Sequence, residues 1–245
     1  SLSYLEAHQC ENRSRFLFFI SRSMLSASMV ALSANMFTLF IFYEILTLAT
    51  GPLVSHGGSL HSKRSLKQYF SILISSSIAL LLPAIIIINH YCGTNDFAPK
   101  GIIEGKIYNI FIINLLLILC IYGCAKASLF PFHSWLPIAM VASYPVSALL
   151  HAVAVVKVGL FAIYKIMIYI FGLEFLHGLF IENNWIIYIA IFTIIYSSAL
   201  ALKQETIKKM LAYSTISQLG FALMGMFIFS SKDRKSTRLN SSHQI

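Results

Sequence analysis

The chain has 245 residues, 58% of them hydrophobic and 11% charged, with a mean hydropathy of +0.77. That balance excludes an ordinary soluble domain and defines a polytopic membrane protein. The formal charge of +9 sits in loops between apolar runs, so no nucleic-acid partner is implied.

The first residues carry no signal region with a cleavage site, and no separate targeting peptide is expected. The missing initiator Met reads as a fragment or a trimmed chain. An apolar helix needs about 20 residues to cross a hydrocarbon core about 30 Å thick. Seven segments approach or exceed that length: Arg15 to Ser33, Asn35 to Val54, Tyr69 to His90, Ile107 to Phe130, Pro145 to Phe171, Asn184 to Leu202, and Met210 to Phe229. The expected fold is therefore all-α, a polytopic transmembrane helix bundle of seven spans with one proline-broken helix. The first two spans are nearly continuous, which places a hairpin turn at Ser33, Ala34 and Asn35.

Cytoplasmic loops collect Lys and Arg. Lys63, Arg64 and Lys67 follow the second span, and Lys203, Lys208 and Lys209 follow the sixth, on the same side. On the opposite side, Tyr91 to Lys106 balances Lys100 and Lys106 against Asp96 and Glu104, and Gly172 to Asn183 carries only Glu174 and Glu182. The lysine-rich side is predicted cytoplasmic, or matrix if the chain is mitochondrial. After Ser230 the hydropathy collapses, and Asp233 to His243 resembles a translated sequencing adapter. Excluding residues 233–245 removes three cations and one anion and lowers the formal charge from +9 to +7. Two domains follow: 1–230, a membrane domain, and 231–245, a tail read as non-native or as a disordered basic terminus.

Ionisable residues inside the apolar spans are expensive, roughly 2.5 to 3.5 kcal/mol for one charge at a helix centre on insertion scales, and point to function. Glu44 lies near the middle of the second span. Lys126 follows a charge-free run and precedes Pro131, whose ring clashes with the carbonyl four residues earlier, at Ala127. The helix is expected to break just after Lys126, at a polar pocket, with Pro131, Pro137 and Pro145 extending the break as a half-helix or re-entrant connection. Lys157 stands about 18 Å beyond Pro145 along an ideal helix, near mid-bilayer. Lys165, nearer the interface, reads as snorkelling. His133 in the break and His151 in the fifth span each suit a proton relay or a packed, hydrogen-bonded interface.

Cys10, Cys92, Cys120 and Cys124 show no spacing suited to zinc or an iron-sulfur cluster, so no metal or cofactor is expected. Cys120 and Cys124 share a helix face and read as packing. With no phosphate loop, nucleotide fingerprint or nucleophile constellation, independent catalysis is not expected.

The stretch KASLFPFHSWLPIAMVASYPVSALLHAVAVVKVGLFAIYK, Lys126 to Lys165, resembles the antiporter-like membrane subunits shared by respiratory complex I (NADH:quinone oxidoreductase, subunit-five-like) and Mrp-type cation/proton antiporters. NMFTLFIFYEILTLATGPLV, Asn35 to Val54, is similar to the family's glutamate-bearing helix, and IKKMLAYSTISQLG, Ile207 to Gly220, to its tenth-helix signature. The resemblance implies that Glu44 is the family glutamate, Lys126 the lysine of the broken seventh helix, and Lys157 the central eighth-helix lysine. His133 and His151 match histidines of some branches. It implies about fourteen spans, of which the seven here correspond to the fourth through tenth. Ile138 replaces an acidic residue of the family pattern, and Glu205 a common aspartate.

The implied function is proton translocation across an energy-transducing membrane through a Glu/Lys/His relay. The partners implied are other membrane subunits of a multi-subunit complex, the lipid bilayer, and protons, with sodium as an alternative coupling ion. The setting is a bacterial inner membrane, or alternatively the mitochondrial inner membrane. If the chain is a complex I subunit, it would belong to a proton-translocating NADH:quinone oxidoreductase. Two rival readings are a haem-binding redox membrane protein using His133 and His151 as axial ligands, and a non-conducting structural membrane subunit.

Overall fold

A computed structural model describes residues 13–54, 60–140, 142, 144–148, 150, 155–180 and 185–242. Nearly all of them are helical, and the β pairing among them is one isolated bridge, Asn35 with Asp96.

Helix α1 (Arg13–Leu32) turns at Ser33–Asn35 into α2 (Met36–Val54), as the sequence predicts. The Asn35 side chain accepts the Thr38 N–H at 2.7 Å, which satisfies one of the donors a helix start leaves open. Ser23 and Ser26 of α1 return their hydroxyls to backbone carbonyls of their own helix, so the serines need no water.

A long helical rod follows: α3 (Leu60–Ser76), a π turn (Ser77–Leu81) and α4 (Leu82–Cys92). Pro83 cannot donate to the carbonyl four residues back, and the widened turn absorbs that missing bond. Gly93, at φ 70°, closes α4 in the left-handed conformation that glycine adopts without steric cost. Lys106 donates to the Cys92 carbonyl at 2.6 Å and so places a cation at the negative end of α4.

Asn109 caps α5 (Ile110–Gly123) by accepting the Phe111 N–H at 2.9 Å. The chain then runs through a 3₁₀ turn (Ala125–Ala127), a second (Phe132–Ser134), and two short helices, α6 (Trp135–Ala139) and α7 (Tyr144–Ala148). Helix α8 (Val155–Ile166) continues as a π turn (Met167–Phe171), followed by α9 (Leu173–Phe180), α10 (Trp185–Leu202) and α11 (Ile207–Ser242). The α10–α11 hairpin closes tightly because Gly220 lets Ile194 approach, and Ser198 and Ser217 share a hydrogen bond at 3.0 Å.

Five helices among the described residues are long and apolar enough to cross a membrane: Ser14–Leu32, Met36–Val54, Lys63–Cys92, Trp185–Leu202 and Ile207–Phe227. Of the other two expected spans, one differs from the reading. Ile107 to Phe130 is helical only over Ile110–Gly123, about 21 Å of rise, because the break begins before Lys126. Of Pro145 to Phe171, the described residues form α7 and then α8 with its π turn, and residues 149 and 151–154 lie outside the described residues.

One end of the bundle gathers the α1–α2 turn, the 95–103 loop and the end of α8. Met36 N–H donates to the Asn95 carbonyl at 2.9 Å, Phe97 N–H to Ala34 at 3.1 Å, and Ile102 N–H to Ile170 at 2.8 Å. Gly101 and Gly172, both at φ 83°, pass so closely that a Cβ on either would meet the other strand of backbone.

Candidate functional site: a buried lysine at the helix break

Helix α5 gives way at Cys124, whose φ −86° and ψ 50° are no longer helical. The interruption falls on the N-terminal side of Lys126, not just after it, so the lysine occupies a 3₁₀ turn of its own. Tertiary packing sets this position ahead of Pro131. Gly123 admits the Leu81 backbone, and Gly159 of α8 admits the backbone of Lys126 and Ala127, where a Cβ would come within 2.4 Å of the Ala127 nitrogen. Ser128, at φ 55°, then turns the chain in the left-handed region, which costs a non-glycine residue of order 1–3 kcal/mol.

The backbone groups freed by the break find protein partners. Trp135 donates its indole N–H to the Ala125 carbonyl at 2.9 Å, and the Thr193 hydroxyl accepts the Phe130 N–H at 3.3 Å. Trp135 is itself buried edge-on to Tyr69, whose hydroxyl shares a hydrogen bond with Thr50 at 2.7 Å. The polar pocket expected from the prolines is thus closed by side chains of α2, α3, α6 and α10.

Lys126 is 0% exposed. Its side chain lies along Tyr43 of α2: the Lys126 N–H donates to the Tyr43 hydroxyl at 3.1 Å, and the ammonium donates to the Tyr43 carbonyl at 2.5 Å. The same ammonium stands over the Tyr43 ring, 3.1 Å from its centroid. Glu44, the next residue of α2, is half-buried; its Oε1 is buried with no hydrogen-bond partner, and its carboxylate acts electrostatically on Lys126. The two residues are brought together, but Lys126 bonds to Tyr43 and not to the Glu44 carboxylate.

The remaining relay residues are placed apart. Lys157 is exposed, two residues before Gly159, and a helix turns about 200° over that interval. It therefore lies on the face of α8 opposite the Lys126 contact. His133 is half-buried in the 3₁₀ turn after Pro131, stacked on Phe130 at 5.6 Å and edge-on to Tyr196 at 5.3 Å, and its Nδ1 is buried without a partner. His151 lies outside the described residues. Of the prolines, Pro131 is exposed, Pro137 is buried in α6, and Pro145 lies in α7.

Two features were not read from sequence. Tyr43 carries no signal beyond its place beside Glu44. Lys165, expected to snorkel, is instead 8% exposed and closes the end of α1, donating to Ser33 O at 2.6 Å, Ala31 O at 2.7 Å, Ser33 Oγ at 3.1 Å and Val30 O at 3.4 Å. The orphan carbonyls of a helix C-terminus adjoining a tight turn were the available clue. Cys120 and Cys124 are buried free thiols, in keeping with packing.

Fold and site together define a multi-pass helical membrane protein with a buried lysine at an interrupted helix, facing a carboxylate on a neighbouring span. Residues 33–237 match the family described as "NADH:quinone oxidoreductase/Mrp antiporter, TM", and the chain belongs to that family.

The chain is 32% identical over 228 residues to the curated protein named "Putative antiporter subunit mnhA2" of Staphylococcus aureus (strain MSSA476), a match covering 90% of this chain and 27% of the relative. The protein of the same name from Staphylococcus haemolyticus (strain JCSC1435) is 32% identical over 229 residues, with the same coverage. The chain thus spans about a quarter of the length of these relatives. A chain in the structure of the Mrp complex from Dietzia sp. DQ12-45-1b superposes with a TM-score of 0.71 at 26% identity, covering 87% of this chain and 22% of that one. A chain of the membrane-bound sulfane sulfur reductase, an archaeal respiratory membrane complex, shares the fold with a TM-score of 0.69 at 24% identity, covering 86% and 44%.

Proposed function

We propose that this chain is a proton-translocating part of a subunit of a cation/proton antiporter complex, with Glu44 and Lys126 as its working pair. The observation that carries the reading is a lysine with no exposure, set in a break of a membrane helix beside a carboxylate whose oxygen has no hydrogen-bond partner. Such a charge is costly at membrane depth, so its presence there points to function. Desolvation disfavours an ammonium and a nearby carboxylate favours it, so motion of the carboxylate toward or away from a buried lysine loads or unloads a proton. A proton released from Lys126 passes to the α8 side, where Lys157 is the next cation and His133 or His151 a relay.

Relatives named as antiporter subunits, and the likeness to a chain of an Mrp complex, favour the antiporter branch over a complex I subunit. Protons are then exchanged for a monovalent cation such as sodium, other membrane subunits complete the complex, and the bacterial relatives favour a bacterial inner membrane. The conducting unit is residues 1–230, and residues 231–245 take no part. His133 is held by ring contacts with Phe130 and Tyr196, which supports a packed or relay histidine better than an axial haem ligand.

The test is proton/cation exchange in everted membrane vesicles carrying the assembled complex. Glu44→Gln is expected to abolish exchange with the complex recovered intact, and deletion of residues 231–245 to leave exchange unchanged. Undiminished exchange in Glu44→Gln would sink the pair.

A further inference from the structure

We propose that Tyr43 is a positioning residue for the Lys126 ammonium: a dock that holds the loaded lysine beside, but not on, the Glu44 carboxylate. The proposal rests on the relay reading above and adds a second station to it.

The geometry is a hold at three points of one residue, two on the side chain and one on the backbone. The phenol hydroxyl takes the Lys126 backbone N–H at 3.1 Å and so fixes where the lysine leaves the break. The ring face lies beneath the ammonium, 3.1 Å from centroid to Nζ, and the backbone carbonyl at the far end accepts an ammonium hydrogen bond at 2.5 Å. That carbonyl also accepts from the Thr47 hydroxyl at 3.2 Å. Tyr43 is 1% exposed, so this contact is made away from lipid and solvent. An aromatic face attracts a cation most strongly when both are desolvated.

A carboxylate with an unpartnered oxygen sits on the next residue of the same helix, yet the ammonium is on the tyrosine. The lysine therefore has two acceptors on α2, the Tyr43 dock and Glu44. Because consecutive helix residues diverge by about 100°, the two acceptors point in different directions from α2 and the ammonium engages one of them at a time. Gly159 of α8 packs directly against the start of this side chain, where a Cβ would come within 2.7 Å of the Lys126 Cβ, and so fixes where the lysine leaves the backbone. The dock keeps the lysine loaded between transfers, and a weaker ring contact lowers the loaded fraction.

The test first removes the hydroxyl bonded to the Lys126 N–H and then, from that phenylalanine baseline, changes the electron density of the ring and almost nothing else. In the assembled complex, Tyr43→Phe is followed by Tyr43 replaced with mono-, di- and trifluorophenylalanine, and exchange is measured in vesicles at constant recovery of the complex. The exchange rate is expected to fall with each added fluorine, by about threefold or more over the series. A packing role would give a flat series, because the shape hardly changes. If Tyr43→Phe does not assemble, mono- and difluorotyrosine at the same position carry the same comparison. Lys126→Ala serves as the control: loss of exchange there with a flat fluorine series overturns the dock and leaves the relay standing, whereas retained exchange in Lys126→Ala overturns both.

Discussion

Replacing Lys165 by methionine keeps the apolar stem and removes the ammonium that closes α1. Four oxygens lose a donor, and two of them, the carbonyls of Ala31 and Ser33, lie within 2.7 Å of it. Interhelical hydrogen bonds in membrane proteins are worth about 0.6 kcal/mol on average and about 1.7 at most, so the two short bonds contribute about 1–3 kcal/mol. Attraction between the cation and the negative end of α1 adds about 0.3–1 kcal/mol. Release of the ammonium from burial offsets part of this, which leaves a destabilisation of about 1–3 kcal/mol for Lys165→Met. Lys165→Arg, which keeps the charge, is expected to recover part of it. The assay is denaturation of the detergent-solubilised complex, followed by protease access at the α1–α2 turn. A Lys165→Met protein as stable as the wild type would show that the cap contributes nothing and that the packing argument for this end of the bundle is wrong.

Other substitutions probe the break. Gly159→Ala drives a Cβ into the Lys126 and Ala127 backbone, and an overpacking cost of about 1–3 kcal/mol is expected as a lower recovery of assembled complex. Trp135→Phe removes the indole bond to the Ala125 carbonyl, which keeps the Ser128 N–H at 2.9 Å; a loss of about 0.5–1.5 kcal/mol is expected, read as a lower denaturation midpoint. Glu44→Gln is expected to abolish exchange while leaving that midpoint near the wild-type value, since its Oε1 has no hydrogen bond to lose.

The spans were legible because hydropathy reports the bilayer directly: five of the seven marked segments are long helices, three with ends within a residue of the marked ones and two beginning three and six residues earlier. The hairpin at Ser33–Asn35 was legible because Asn35 is a good helix cap beside a small-residue turn. Where the break falls was not. Pro131 signals an interruption, but its place at Cys124 is set by two glycines against two different helices, a long-range contact that no local pattern encodes. Burial of Lys126 and its nearness to Glu44 followed from charge in an apolar run and from the family resemblance. The role of Tyr43 depends on a backbone carbonyl 83 residues away from its lysine and leaves no mark in the sequence. Lys165 was misread for a related reason: near a helix end, a cation that reaches the interface and one that caps a neighbouring helix look alike until the neighbour is placed.

The central claim is that Lys126 carries the transported proton. Its most direct test is proton/cation exchange in vesicles for Lys126→Ala, with recovery of the complex measured on the same membranes. The account predicts that exchange is lost while the complex assembles; exchange at the wild-type rate from a fully assembled Lys126→Ala complex would contradict it.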